Sequence, residues 1–273
     1  MAGIAQLAFP AAGAQVSNDD GPQRKSGCQS ICSNRCLDRT APFGIRIAVS
    51  SRPHFGLFCP MIKINRRNDL IVAASLLLAF LLWFVTFVVK PMNFWLMMSF
   101  NTLLLAAISL YGCKPEFYKP SVKDLIGGIF SGLFLYAVFW AGNELLIFLS
   151  RYMYLFENRA ENISAIYANR QSLPPFLVAL LLFFPIGFGE ELYWRGWVQM
   201  YTAKKYNAGF AWAGTIVLYT SVHLCTGNPV LILAALTCGF YWGTLYRLTG
   251  RLWLVLFSHM IWDPLVFVIK PIM

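Results

Sequence analysis

Residues 70–89 read LIVAASLLLAFLLWFVTFVV, twenty residues without a charge. A helix rises about 1.5 Å per residue, so this run is about 30 Å long, the thickness of a bilayer's hydrocarbon core. Backbone N–H and C=O groups cannot stay unpaired in lipid, so the run is expected to be a helix. It is preceded by the short basic lead MIKINRRNDL (Met61–Leu70) and followed by Lys90-Pro91. Charged flanks around an apolar run mark the two edges of one membrane crossing.

Six more apolar runs follow, separated by short charged links. They are about Phe94–Gly112, Leu125–Leu149, Pro174–Tyr201, Ala208–Leu224, Pro229–Tyr246 and Leu252–Val268. The fourth is long and is expected to break near Pro185-Ile186-Gly187. The fold class is therefore all-α, a polytopic transmembrane bundle of about seven spans. Composition agrees. Of 273 residues, 58% are hydrophobic and 12% charged, where a soluble domain carries roughly 25% charged residues. The mean hydropathy is +0.58. An ordinary soluble enzyme, a disordered chain, a coiled coil and a small disulfide scaffold are excluded.

The net charge of +10 fits basic loops at a membrane surface. No stretch interleaves basic with aromatic residues, so nucleic-acid binding has no support. With the N-terminus inside, the inner segments carry Lys63, Arg66, Arg67, Lys114, Lys119, Lys123, Lys204, Lys205, Arg247 and Arg251. The outer ones carry Lys90, Arg151, Arg159, Arg170 and Lys270. Ten against five favours an N-in orientation. The one long link between spans, residues 150–173, then lies outside.

Residues 1–60 differ in kind. They mix Gly, Pro, Ser and Arg with short apolar runs and no sustained period. They are expected to be a disordered extension, upstream of a natural-looking bacterial start at Met61. Residues 61–273 form the membrane domain. Cys28, Cys32 and Cys36 match no structural zinc spacing and read as incidental. Cys113, Cys225 and Cys238 lie in or beside apolar stretches and read as small hydrophobes. The Trp residues, Trp83, Trp95 and Trp253 among them, need no role beyond the interface that Trp favours.

Charges inside the spans are the informative residues, because each costs roughly 2.5–3.5 kcal/mol at mid-bilayer. The fourth span holds Glu190, Glu191 and Arg195, the fifth His223, and the seventh His259 and Asp263. Glu191 and Arg195 are spaced i, i+4 and can pair on one helical face. Glu190 points about 100° away and is left to face a cavity as a general base. His259 and Asp263 are also i, i+4, so the carboxylate can orient the imidazole. Glu144, near an outer span end beside Asn143, reads as interfacial. Counting about 1.5 Å per residue, Glu190 lies about 21 Å from Lys204 and His259 about 12 Å from Arg251. His223 lies about 27 Å from Lys205, far out for a residue sharing their layer, so tilt or a shorter fifth helix is expected.

GEELYWRGW (Gly189–Trp197) contains EExxxR, YTSVH (Tyr219–His223) is similar to FxxxH, and HMIWD (His259–Asp263) to HxxxN/D. In this order, on apolar helices near the C-terminus, they resemble the CAAX-protease and bacteriocin-processing family of intramembrane endopeptidases, over about residues 174–270. The resemblance implies that Glu190 and His223 activate a water, that His259 and Asp263 stabilise an oxyanion or place the substrate, and that Glu191 and Arg195 support the site. Two residues depart from the pattern: Tyr219 stands for the usual Phe, and Asp263 for the Asn of the prenyl-protein proteases. An ionised Asp263 would repel an oxyanion, so it would have to be protonated, orient His259 or bind a metal. Glu190, His223, His259 and Asp263 could also ligate zinc. Metal-free glutamate chemistry is the favoured expectation.

The expected substrate is a membrane-associated protein or peptide. The bacterial-looking start points to a sorting signal, bacteriocin or peptide pheromone rather than a prenylated chain. The oligomeric state is open. A non-catalytic immunity factor or scaffold is the alternative. A proton-coupled transporter lacks the paired half-repeats expected of one.

Overall fold

The computed structural model describes residues 64–113, 119–152, 158–168 and 172–272. What is expected of residues 1–60 lies outside them. The described chain is helical and contains seven helices long and apolar enough to cross a membrane. They are α1 (Arg66–Val89), α2 (Phe94–Gly112), α3 (Val122–Leu149), α5 (Pro175–Lys205), α6 (Ala208–Thr226), α7 (Pro229–Thr249) and α8 (Leu252–Ile269). A short helix, α4 (Arg159–Tyr167), stands where the sequence suggested only a link. Its Ile163 is buried.

The starts are set by caps. Asn65, Ser121, Asn207 and Asn228 each accept a backbone N–H of the first turn, which satisfies one of the four unpaired donors there. Pro229 occupies the first position of α7, where its missing N–H is harmless. Gly250, at φ 64°, closes that helix.

α5 does not break at Pro185. Proline lacks an N–H and its ring pushes against the carbonyl four residues back. The helix absorbs this in a π turn at Leu182–Ile186 and continues. A second π turn, Trp194–Gln199, includes Arg195. The regular part of α6 ends at Ser221 and the chain turns through a 3-10 segment, Leu224–Thr226. His223 therefore sits in the turn and not on the helix. The straight count therefore ran two residues past the end of the regular helix, about 3 Å of the expected depth.

Two close approaches fix the core. α3 lies against α8 along Gly128 and Gly132. A Cβ on Gly132 would stand 2.8 Å from the backbone oxygen of Ser258, so only a small residue allows this seam. Ser131 Oγ lies 3.0 Å from Ser258 Oγ and 2.8 Å from the Tyr241 hydroxyl, tying α3 to both α8 and α7. On the other side of the bundle, a Cβ on Gly189 would meet the Thr102 carbonyl at 2.9 Å. Thr102 Oγ1 donates to the Pro185 carbonyl at 2.9 Å. α2 is thus seated against the segment that carries Glu190.

The end of the bundle that carries Lys205 and Arg251 is clamped by ion pairs. Asp69 of α1 accepts from Lys205 at 2.5 Å and Tyr201 at 2.7 Å. Asp124 of α3 accepts from Arg251 at 2.6 Å, and Arg251 also reaches Ser121.

Candidate active site

A cavity of about 390 Å³ runs from mid-α5 toward the opposite end of the bundle. Its walls are mainly apolar, with Phe87, Phe94, Phe139, Leu146, Ile166 and Trp262 among them. Five side chains carry chemistry into it: Glu190, Tyr219, His223, His259 and Asp263. Glu191 and Arg195 do not line it. Both are fully buried behind it.

The buried pair is the one its spacing suggests. Arg195 Nη1 donates to Glu191 Oε1 at 2.8 Å. Arg195 also reaches the carbonyls of Cys238 and Gly239 on α7. A second contact on Glu191 was not legible from spacing, because it crosses from α5 to α8. His259 Nδ1 lies 2.9 Å from the same Glu191 Oε1. On its other edge, His259 Nε2 lies 3.3 Å from Asp263 Oδ2. Arg195, Glu191, His259 and Asp263 thus form one chain of alternating basic and acidic groups. The imidazole is further fixed by stacking on Trp242 at 3.8 Å between centroids. Trp242 is held by its indole N–H on Ser258.

Glu190 is placed differently. It is 5% exposed. Its Oε2 accepts from the Tyr219 hydroxyl at 2.9 Å. Among the described residues no basic nitrogen lies within ion-pair distance of it.

His223 is buried at the cavity wall. Its Nδ1 lies 2.9 Å from the Tyr219 carbonyl. A carbonyl only accepts, so Nδ1 carries the proton and Nε2 the lone pair. That lone pair accepts from Trp83 Nε1 at 3.2 Å. Trp83 is 0% exposed and Trp95 2%. The interfacial reading of these two tryptophans is corrected: they belong to the core, and Trp83 is a partner of the site. Its position 140 residues upstream of His223 left no periodic signal. Glu144 is exposed near the end of α3, and Cys238 is buried while Cys225 is half-buried.

Could these residues hold a metal? Among the described residues, no three His, Cys, Asp or Glu side chains are grouped to do so. His223 directs Nε2 at an indole, and His259 is enclosed by two carboxylates. The four residues considered as a zinc set do not form one ligand cluster.

The fold and cavity define a class: a polytopic helical membrane protein with buried acid and imidazole groups facing an apolar chamber. Residues 172–265 match the family model described as type II CAAX prenyl endopeptidase, Rce1-like. The matched segment holds all three motifs, from Gly189 through Asp263. No curated protein and no solved structure matches the chain. A membrane protease is the reading that the family match supports.

Proposed function

We propose that the protein is an intramembrane endopeptidase that hydrolyses a peptide bond in a membrane-associated protein or peptide, by glutamate chemistry without a resident metal. One observation carries this reading. Glu190 is a buried carboxylate that, among the described residues, has no basic nitrogen within ion-pair distance, and it lines a cavity of about 390 Å³. Its neighbour Glu191 takes up the available Arg and His.

In the proposed reaction Glu190 accepts a proton from a water, and the hydroxide attacks the peptide carbonyl carbon. The tetrahedral intermediate collapses as the C–N bond breaks, and Glu190 returns the proton to the leaving amine. General acid–base transfer of this kind contributes about 10²–10⁴-fold. His223 takes part through Nε2 once its bond from Trp83 opens. His259 has both nitrogens facing carboxylates and so has no lone pair to offer as a base. It acts as a fixed positive charge close to the developing oxyanion, and Asp263 orients it. This use of Asp263 avoids setting a bare carboxylate against the oxyanion.

The basic-residue bias supports an N-in orientation. The part of the cavity wall formed by Phe87, Leu149 and Leu231 then lies toward the outer face. Cysteine placed at Leu149 should react with a membrane-impermeant maleimide on intact cells. Labelling only after permeabilisation reverses the orientation.

The decisive experiment is co-expression with small membrane-anchored proteins encoded beside the gene. Glu190→Gln should abolish processing while the protein still inserts. Unchanged processing removes Glu190 from the chemistry.

A further inference from the structure

Tyr219 touches both groups assigned to the water, and nothing in the proposed reaction yet uses it. Its hydroxyl donates to Glu190 Oε2 at 2.9 Å, and its carbonyl accepts from His223 Nδ1 at 2.9 Å. The ring is clamped from two sides. The Arg195 guanidinium lies 5.0 Å from its centroid, and the Trp194 ring packs edge-on at 5.4 Å. The phenol is 5% exposed and has little freedom to turn elsewhere.

Glu190 needs such a hold. Its side chain has three rotatable bonds, and its Oε1 accepts no hydrogen bond from the described residues. A second carboxylate, Asp263, lines the same cavity and interacts electrostatically with Glu190. Asp263 repels the Glu190 carboxylate and His259 attracts it, the attraction being the larger of the two, so the carboxylate sits between opposed fields in a weakly screened space. The groups that act on Glu190 are Tyr219 on α6, Asp263 and His259 on α8 and, from behind on its own helix, Glu191. Of these, only Tyr219 makes a hydrogen bond to it. These two positions, 219 and 263, are also where the sequence departs from the motifs it resembles.

We propose that Tyr219 is a positioning residue whose hydroxyl holds the Glu190 carboxylate in place between the pull of His259 and the push of Asp263, leaving Oε1 turned to the water. The proposal rests on the reading of Glu190 as the base. A hydrogen bond to a charged group contributes about 1.5–3 kcal/mol, so its loss should lower kcat about 10- to 100-fold.

The test is a mutant cycle on the protein reconstituted in liposomes, using a quenched fluorogenic peptide with an apolar C-terminal anchor. Tyr219→Phe keeps the ring and the carbonyl and removes only the hydroxyl. It should lower kcat by the stated factor with KM within about twofold. On an Asp263→Asn background the same change should cost severalfold less. Equal cost on both backgrounds overturns the coupling. If Glu190→Gln is inactive while Tyr219→Phe cleaves normally, the positioning role fails and the base survives. If Glu190→Gln itself cleaves normally, the base reading fails.

A second measurement needs no turnover. The infrared carboxyl band of Glu190 is identified by its loss in Glu190→Gln. Tyr219→Phe should shift that band, and an unmoved band overturns the proposal even where the peptide is not cleaved.

Discussion

Glu190 and Glu191 are adjacent residues of the same type on the same helix, and they face two different regions. Behind α5, Glu191 is sealed at 0% exposure and one of its oxygens takes donors from both Arg195 and His259. In front of α5, Glu190 has a phenol for company and a chamber before it. Removing a charge from water costs several kcal/mol unless it is paired and hydrogen-bonded. The rear region meets that cost with partners, and so its carboxylate is committed to architecture. Among the described residues each carboxylate keeps one oxygen without a donor, but Glu191 Oε2 is sealed in the core, whereas Glu190 lines the cavity. What stands across the helix, and not the residue type, separates a structural glutamate from one available for chemistry.

The comparison can be broken from either side. The largest effect should come from Glu190→Gln. Gln has the same size, and its carbonyl can still accept from Tyr219, so the fold should survive. Cleavage should fall by about 10²–10⁴-fold, with an unchanged melting curve in detergent. The next effect belongs to the rear region. Arg195→Met keeps much of the volume but leaves Glu191 buried with one donor fewer. Breaking such a pair costs about 3–5 kcal/mol, read as a lower denaturation midpoint and reduced yield. Gly132→Leu should follow. The seam between α3 and α8 has no room for the added side chain, and overpacking costs about 1–3 kcal/mol. A melt of that variant indistinguishable from wild type would show the seam to be loose.

The seven spans were legible because each is an apolar run of membrane length, and length with composition is enough to specify a crossing helix. The Glu191–Arg195 pair was legible because i, i+4 spacing lies within one helix. The bonds from Tyr219 to Glu190, from His259 to Glu191 and from Trp83 to His223 were not. Each joins two helices, and no periodicity records which faces meet. Trp83 was the most deceptive. An aromatic near the end of an apolar run reads as an interface anchor, yet it is buried on an imidazole. Pro185 misled in the other direction. Its neighbours in α2 and α8 hold the segment in line, so the helix widens instead of ending. α4 escaped notice because nine residues are too short to give a span signal.

The smallest expected effect sharpens the comparison most, because it repeats the rear region's chemistry in another setting. Arg251 and Asp124 are also an arginine and a carboxylate, 2.6 Å apart, at the basic end of the bundle. The Asp124 side chain is 0% exposed, but that of Arg251 is 41% exposed, whereas Arg195 and Glu191 are both 0%. Water therefore screens one partner of the outer pair and neither partner of the inner one. Ser121 also donates through both its hydroxyl and its backbone N–H to Asp124, so the carboxylate keeps partners when Arg251 is removed. Arg251→Met should cost no more than about 1 kcal/mol, the range of partly exposed ion pairs, and the cost should shrink further at high salt. Arg195→Met should be nearly insensitive to salt, because no ions reach it. Parallel denaturation of the two variants at low and high salt decides the matter. A salt-independent loss at Arg251 as large as that at Arg195 would mean that burial of one partner alone sets the strength of the pair. The contrast between Glu190 and Glu191 would then have to rest on the number of donors each carboxylate receives.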